Sequence, residues 1–319
     1  MRTEKNRKSK IGITLGDPCG IGPEITAKAL SDPGLRGQAD FILIGDPCVY
    51  NSYQKNPVDD VTFWDMKIID SLTSPKDLSI QKRGQASYRY LEKGIEALKN
   101  KTIDAIVTAP VNKQAIMAAG VKDFQGHTEM FAEAFNVKNF EMMFVGGPYK
   151  TIIATRHIPL KDIPAALTPE KLLSTIRLAH TCLRDVFHIR KPRIALCGIN
   201  PHAGESGKIG TEEPGIIIPA IEMAKQEGLH AEGPFAADTL FIPFNAERYD
   251  LIIAMYHDQG LTPIKALYFS KLVNLTIGLP FVRTSTAHGT AEDIAGQNKA
   301  DPSSMIAAIQ LACDLTTRH

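Results

Sequence analysis

Short apolar runs alternate with helical patterns along much of the chain. Ile11–Leu15 and Phe41–Ile44 have the composition of buried strands, and each ends in a polar turn. Gln85–Leu98 has the apolar spacing of an amphipathic helix, and Ala105–Val107 follows as a further strand. This alternation predicts an α/β fold in which largely parallel sheets are covered by helices.

Two later helices have recognisable starts. Thr168 is placed to cap a helix whose first residue is Pro169, and apolar residues with helical spacing follow. Asp301 and Pro302 are expected to open the last helix in the same way.

Three apolar runs lead into short polar motifs that contain a histidine. The runs are Thr151–Ala154, Ile194–Cys197 and Leu251–Met255. The histidines after them are His157, His202 and His257. Loops beyond the strand ends of an open α/β sheet converge on the ligand crevice, so three imidazoles there can hold one divalent cation and leave a position open. The alternative is that each histidine is a structural residue.

Bulk composition excludes several classes of function. The chain has 319 residues, enough for about two domains. Its formal net charge of +1 argues against nucleic acid and membrane surfaces as partners, because both need a basic excess. The five cysteines form no C-x-x-C pair and suit reduced thiols, and no apolar run has the length of a membrane span. We therefore expect a cytoplasmic protein.

Other motifs allow both a functional and a plain structural interpretation. Gly16–Glu24 is either a loop that approaches a ligand through its backbone or a simple strand-to-helix turn. In Gly126–Glu129, His127 and Thr128 either contact substrate or, in the case of Thr128, only cap a helix. Lys265, Asn274 and Arg283 offer a point charge, an amide and a planar fork, a set that suits a phosphate, although isolated basic side chains are usually solvated. His288–Gly296 is ambiguous on its chemistry alone.

Taken together, these motifs resemble the 4-hydroxythreonine-4-phosphate dehydrogenase family. The matching stretches are G-D-P-C-G-I-G-P-E, T-A-P-V-N-K at Thr108–Lys113, G-H-T-E, N-P-H-A-G-E, A-D-T-L-F at Ala237–Phe241, Y-H-D-Q-G-L and H-G-T-A-E-D-I-A-G. The last stretch also looks like the H-G-S-A-P-D-I-A-G loop of isopropylmalate and isocitrate dehydrogenases, which grips the adenosine half of the cofactor. The likeness implies their two-domain fold, with the active site in the interdomain cleft.

The resemblance assigns roles to individual residues. It implies that His157, His202 and His257 bind one divalent metal ion (zinc, magnesium, manganese or cobalt), with His257 or its equivalents shared across a homodimer interface. It implies NAD as the oxidant, with a cofactor loop formed by His288, Gly289, Thr290, Ala291 and Asp293. It implies substrate contacts from His127, Thr128, Lys265, Asn274 and Arg283. The expected domains are 1–126 with 284–319 on the cofactor side, and 127–283 for metal, substrate and dimerisation.

One departure from the family bears on the substrate. Biosynthetic members usually read S-V-D-H-G-T before the cofactor loop, and this chain has Ala287 at the acidic position. A carboxylate there suits the ammonium of 4-phosphooxy-L-threonine, whereas its loss suits a neutral hydroxyl. The sequence is thus similar to the branch that oxidises 4-phospho-D-threonate or 4-phospho-D-erythronate.

The predicted reaction is oxidation of the C3 hydroxyl followed by decarboxylation to dihydroxyacetone phosphate. The alternative is the pyridoxal phosphate biosynthetic reaction, which gives 3-amino-2-oxopropyl phosphate. Asp238, Asp258 and Lys265 are the candidate proton carriers. Two other classes remain open: a non-redox phosphoacyl-transfer enzyme, and a sugar-phosphate sensor without catalysis.

Overall fold

The computed structural model describes residues 7–54, 61–70 and 77–316. The strands within these ranges are β1 (Lys10–Thr14), β2 (Asp40–Gly45), β3 (Val61–Asp65), β4 (Ala105–Thr108), β5 (Glu141–Gly146), β6 (Tyr149–Ile153), β7 (Arg193–Cys197), β8 (His230–Phe235), β9 (Leu251–Ala254), β10 (Val273–Ile277) and β11 (Val282–Thr286). The α-helices are α1 (Gly22–Leu30), α2 (Pro47–Asn51), α3 (Ile80–Lys99), α4 (Lys113–Ala118), α5 (His127–Ala134), α6 (Ile163–Ala166), α7 (Pro169–Asp185), α8 (Ile218–Gln226), α9 (Ala237–Leu240), α10 (Pro243–Ala246), α11 (His257–Tyr268) and α12 (Ser303–Thr316).

The chain forms two compact units. Unit 1 extends to Lys138 and resumes at Leu279, and unit 2 comprises Asn139–Gly278. The predicted boundaries, after residue 126 and before residue 284, fall at different points. Strand β11 pairs with β4 of unit 1. Arg283 on β11 in turn donates a hydrogen bond to Thr128 on α5, so both elements belong to unit 1. The roles assigned to the two domains stay predictions.

Unit 1 contains a parallel sheet in the order β3-β2-β1-β4-β11. The central strands are apolar because helices cover them, and Ile11 and Ile13 are completely buried. Strands β1, β4 and β11 are neighbours, so the loops that follow their carboxyl ends lie at one edge of the sheet. Those loops carry three of the motifs found in the sequence.

Unit 2 contains a mixed sheet in the order β10-β5-β6-β9-β7-β8. Strands β6, β9, β7 and β8 are parallel, whereas β10, β5 and β6 pair antiparallel. The three apolar runs that precede the histidines form β6, β7 and β9, as predicted. These three strands are adjacent, with β9 in the middle.

Helix starts follow the sequence closely. The Thr168 hydroxyl accepts a hydrogen bond from the Lys171 amide, so Thr168 is the N-cap of α7 as predicted. At the last helix, the Asp301 carboxylate accepts from the Ser303 amide, and α12 begins at Ser303, one residue later than expected. Among the described helices, none combines the length and apolar character needed to cross a bilayer.

Gly84 on α3 allows this helix to approach α4 closely. A Cβ atom at Gly84 would lie 1.8 Å from the Ala115 carbonyl oxygen, which is backbone and cannot rotate away. We expect Gly84→Ala to lower the free energy of unfolding by about 2 kcal/mol, because overpacking outweighs the gain in helix propensity. Urea denaturation measures this change.

Gly215 provides the matched control, since a Cβ atom there meets no heavy atom within 4 Å. Gly215→Ala should leave the free energy of unfolding unchanged or raise it by up to about 1 kcal/mol, the gain in helix propensity. Equal stability of the two variants would contradict the close helix contact.

Candidate active site

The loop after β1 packs directly on the loop after β4. Gly16 has a φ of +72°, and a Cβ atom there would lie 2.3 Å from the Pro110 carbonyl oxygen. The Asp17 amide donates to that same oxygen over 2.9 Å. Glycine is therefore required at position 16 for the two motif loops to touch.

An ionic cluster joins these loops to the predicted cofactor loop. The Arg83 guanidinium on α3 donates from Nε and Nη2 to the Asp17 carboxylate, the latter over 2.7 Å to Oδ2. Its Nη1 donates to Glu292 Oε2 over 2.9 Å. Asn112 Nδ2 donates to the other oxygen of Glu292 over 2.6 Å. Hydrogen bonding from Arg83 lowers the pKa of Glu292, so this carboxylate stays charged at neutral pH.

The predicted cofactor residues lie beside the first glycine-rich loop. Thr290 accepts a hydrogen bond from the Ile21 amide through its carbonyl, and a Cβ atom on Gly20 would lie 3.0 Å from Thr290 Cβ. Gly289 faces open space, because a Cβ atom there meets nothing within 4 Å. The remaining members bond locally: His288 with the Gly289 carbonyl, and the Asp293 carbonyl with Gln297.

A buried arginine lies near this edge of unit 1. Arg283 is 1% exposed and donates to the hydroxyls of Thr128, over 3.1 Å, and Thr108, over 2.6 Å. Its guanidinium lies 6.0 Å from the centre of the Phe131 ring. Burial lowers the pKa of Arg283 to about 10, because the charged form loses its hydration. A buried cation that bonds neutral hydroxyls is well suited to an anionic ligand.

Thr128 differs from one of its two predicted roles. The N-cap of α5 is Gly126, and no side chain caps this helix. Thr128 lies within the first turn, is buried, and uses its hydroxyl to accept from Arg283. The capping interpretation was wrong because the glycine took the cap position and left the hydroxyl available to the arginine.

His127 is held in its neutral form. Burial lowers the pKa of His127 well below its usual value, and the charges of Arg283 and Lys113 act in the same direction. Its Nε2 atom is buried without a hydrogen-bond partner among the described residues. A neutral imidazole with an unused nitrogen beside a buried cation is a ready partner for a polar ligand.

In unit 2, two of the three leading histidines come together. The ring centroids of His157 and His257 lie 5.6 Å apart, since each follows one of the adjacent strands β6 and β9. His257 begins α11, and its Nδ1 bonds Asp258 Oδ1 over 2.7 Å. That contact leaves Nε2 of His257 available as a ligand.

His202, like His257, bonds a carboxylate through Nδ1, but it lies on a different loop. Its Nδ1 bonds Glu205 Oε1 over 2.8 Å, and this bond raises the pKa of His202. Within one copy of the described chain, no three His, Cys, Asp or Glu side chains are close enough together to hold a metal ion. The predicted three-histidine set is thus assembled in part: one pair meets, and His202 follows β7, the strand next to β9.

The loop that carries His202 has an unusual backbone. Residues 202–206 all have positive φ values, between 42° and 78°. Non-glycine residues resist this conformation at a cost of roughly 1 kcal/mol each, so other contacts must hold the loop.

Glu213 supplies those contacts and was missed by sequence reasoning. It is 2% exposed, and its Oε1 accepts from the amides of Ile199 and Asn200 over 2.8 and 2.7 Å. Its Oε2 accepts from Asn200 Nδ2 over 3.0 Å. The only signal in the sequence is an acid directly before Pro214 and an apolar run, which is also typical of a helix start.

Gln259 joins two of the histidine loops. Its Oε1 accepts from the Met255 amide, and its Nε2 donates to the Gly198 carbonyl, both over 2.7 Å. The ends of strands β9 and β7 are thereby linked to each other at the edge of the sheet. Gln259 belongs to the Y-H-D-Q-G-L motif, but no local pattern in the sequence indicates this role.

The candidate proton carriers have different surroundings. Asp238 on α9 lies near enough to His202 to raise the pKa of that histidine. Asp258 is 81% exposed and is engaged with His257. Lys265 lies on α11, eight residues and about two turns beyond His257.

Asn274 on β10 completes the predicted substrate set. Its Nδ2 donates to the Met142 sulfur over 3.8 Å, and its Oδ1 is buried without a partner in the described ranges. Asn274 and Lys265 belong to unit 2, whereas His127, Thr128 and Arg283 belong to unit 1.

Comparison with known proteins defines the class. The family described as pyridoxal phosphate biosynthetic protein PdxA matches residues 37–312. A 4-hydroxythreonine-4-phosphate dehydrogenase of Sulfurihydrogenibium sp. (strain YO3AOP1) is 40% identical over 316 residues, which cover 95% of this chain and 97% of the relative. A D-threonate 4-phosphate dehydrogenase of Cupriavidus necator is 40% identical over 327 residues, covering 97% and 98%.

A solved structure confirms the α/β fold. The crystal structure of 4-hydroxythreonine-4-phosphate dehydrogenase from Klebsiella pneumoniae superposes with a TM-score of 0.84 at 34% identity, covering 97% of this chain and 100% of that one. The chain is thus an oxidoreductase that acts on a CH–OH group. More particularly, it belongs to the PdxA family. This result excludes the transferase and sensor alternatives.

The role of the hydrogen bonds that Glu213 accepts can be tested by mutation. Glu213→Ala removes the acceptor of three hydrogen bonds and leaves two backbone amides unsatisfied, so we expect the free energy of unfolding to fall by about 3 kcal/mol. Glu222→Ala, an exposed acid on α8, is the control and should change it by less than about 0.5 kcal/mol. Equal free energies of unfolding for the two variants in urea denaturation would show that the hydrogen bonds of Glu213 do not stabilise the loop.

Proposed function

We propose that this protein oxidises the C3 hydroxyl of 4-phospho-D-threonate or 4-phospho-D-erythronate with NAD, in a divalent-metal-dependent reaction. The 3-keto acid formed has its ketone beta to the carboxylate, so it loses CO2 and yields dihydroxyacetone phosphate. The observation that carries the choice of substrate is Ala287, which stands just beyond β11 where biosynthetic members usually have an acid. The relative from Cupriavidus necator, named for D-threonate 4-phosphate, supports the same choice.

The second candidate is oxidation of 4-phosphooxy-L-threonine to 3-amino-2-oxopropyl phosphate. Its support comes from relatives named 4-hydroxythreonine-4-phosphate dehydrogenase, which are equally similar to this chain. Both reactions use the same C3 chemistry and differ in the group on C2.

The histidines of unit 2 fit a divalent cation. His157 and His257 are close neighbours, and His202 and His257 each bond a carboxylate through Nδ1, the arrangement that orients metal-binding imidazoles. The partial set within one chain is consistent with a site completed at a homodimer interface. When bound, the cation lowers the pKa of the C3 hydroxyl and stabilises the negative charge that develops during decarboxylation.

The basic and polar residues bind the phosphate and the rest of the substrate. Arg283 and Lys265 neutralise the phosphate charge, and Asn274 and Thr128 contribute neutral hydrogen bonds. Neutral His127 contacts the substrate through its unused Nε2. Asp238, Asp258 and Lys265 remain the candidates for moving the proton.

NAD fits the loop after β11. Small residues there leave room for close backbone approach, and the open space at Gly289 supports this. Its nicotinamide accepts the hydride, which is the cofactor's own chemistry. The loop residues His288, Gly289, Thr290, Ala291 and Asp293 are the proposed contacts.

Exposed apolar side chains on unit 2 support a homodimer. Phe244 is 80% exposed, Leu160 70% and Phe269 62%. The Tyr149 ring contacts both Phe241 and Tyr268, so the segments that carry Phe244 and Phe269 are neighbours. Apolar surface of this kind marks protein–protein contacts.

A substrate panel separates the two candidates. NADH formation should show a kcat/KM for 4-phospho-D-threonate or 4-phospho-D-erythronate about tenfold or more above that for 4-phosphooxy-L-threonine. Ala287→Asp should move the preference towards the amino substrate, because it restores a charge that attracts the ammonium. Ala287→Asn is the neutral control of similar size. A wild-type preference for 4-phosphooxy-L-threonine would favour the biosynthetic reaction.

Metal binding has its own test. We expect His202→Ala to lose bound divalent metal and turnover together, because one of three protein ligands is removed. His230→Ala, an exposed histidine on β8, should retain both. Elemental analysis of the purified proteins gives the metal content. Normal activity of His202→Ala in the presence of a chelator would contradict the metal assignment.

A further inference from the structure

We infer that Arg83 is a positioning residue for cofactor binding, holding the loop of residues 288–293 at the sheet edge of unit 1 through Glu292. This inference rests on the proposed role of that loop in binding NAD. Arg83 lies on α3, outside every motif that the sequence singled out, and it bonds the loop through Glu292.

The anchor of the cluster is rigid. Asp17 is completely buried, its Oδ1 accepts from the Cys19 amide over 2.9 Å, and its own amide bonds Pro110. The Arg83 fork donates to both oxygens of this carboxylate. A bidentate pair with a fixed carboxylate fixes the guanidinium in turn.

Arg83 also bonds the proposed cofactor loop and restricts its position. Its Nη1 donates to Glu292 Oε2 over 2.9 Å, and its Nη2 lies 2.5 Å from Glu292 Oε1. Glu292 lies between Ala291 and Asp293, and its side chain is 40% exposed. The Thr290 hydroxyl also donates to Glu292, over 3.4 Å. The loop is therefore linked to α3 at Glu292. Without the bonds to Arg83, this partly exposed side chain would face solvent.

Charge makes the role of Arg83 specific. Asp17 and Glu292 both bond the Arg83 guanidinium, so their carboxylates are close together. Burial raises the pKa of Asp17, and the nearby charge of Glu292 acts in the same direction. Arg83 is the cation between them, so its removal leaves two carboxylates that repel each other. Asn112 holds the other oxygen of Glu292 but carries no charge and cannot offset that repulsion. Without Arg83 we expect Glu292 to turn outward and to carry the loop with it.

The test compares Arg83→Met with Arg89→Met. Arg89 lies on the same helix, is exposed, and pairs with Glu92 three positions along the chain. Isothermal titration with NAD should give a Kd about tenfold higher for Arg83→Met, and an unchanged Kd for Arg89→Met. The KM for NAD should rise in parallel, whereas kcat at saturating NAD should change less than about threefold. Hydrogen exchange of residues 288–296 in the NAD-free protein should become faster.

Two further variants keep the test decisive if Arg83→Met folds poorly. Arg83→Lys keeps the charge without the fork and should give an intermediate Kd. Glu292→Gln should raise the Kd while leaving the Asp17–Arg83 pair intact. Wild-type affinity for NAD in Arg83→Lys and Glu292→Gln, or equal exchange rates in the loop, would overturn the inference. If the wild-type protein itself does not bind NAD, the proposed function is wrong as well. This outcome differs from failure of the inference alone, in which the wild type and the variants bind NAD equally well.

Discussion

The parallel pairing of β6, β9 and β7 is the constraint on which the unit 2 site depends. In a parallel sheet all strands end at the same edge, and the register places Ile152 opposite Ile253 and Leu196 beside Ile253. Three loops that are far apart in sequence therefore start from neighbouring points. The hydrogen bonds of Gln259 then tie two of those strand ends together, so the histidines are presented by a rigid framework rather than by free loops.

Two arginines in unit 1 differ in their burial and in the groups that surround them. Arg83 is surrounded by carboxylates, so its charge is satisfied within the protein and serves to order the loops. Arg283 is buried more deeply and donates to threonine hydroxyls, and burial lowers its pKa. The two arginines thus differ in their hydrogen-bond acceptors, which are carboxylates for Arg83 and threonine hydroxyls for Arg283.

The sequence was most informative where a local pattern decides the structure. Apolar runs with a following polar motif correctly predicted β6, β7 and β9, and the cap at Thr168 correctly predicted the start of α7. It was least informative for contacts between distant residues. Glu213 and Arg83 have no local signature, because their partners lie 13 or more positions away and their importance comes only from burial. The antiparallel pairing of β5 with its neighbours was missed for a related reason, since short apolar runs do not reveal strand direction. The unit boundaries at Lys138 and Leu279 likewise depend on a distant pairing, that of β11 with β4, which no local pattern reveals.

The central claim is that imidazoles of positions 157, 202 and 257 share one divalent cation beside the site of a phosphorylated acid. A crystal structure of the zinc-loaded protein, with the metal located by anomalous scattering, tests it most directly. We predict one zinc ion with an imidazole nitrogen of each of the three histidines at about 2.0–2.1 Å, one of them from a partner subunit if the dimer completes the site. A zinc ion bound elsewhere, or bound without His202 from either subunit, would contradict the claim.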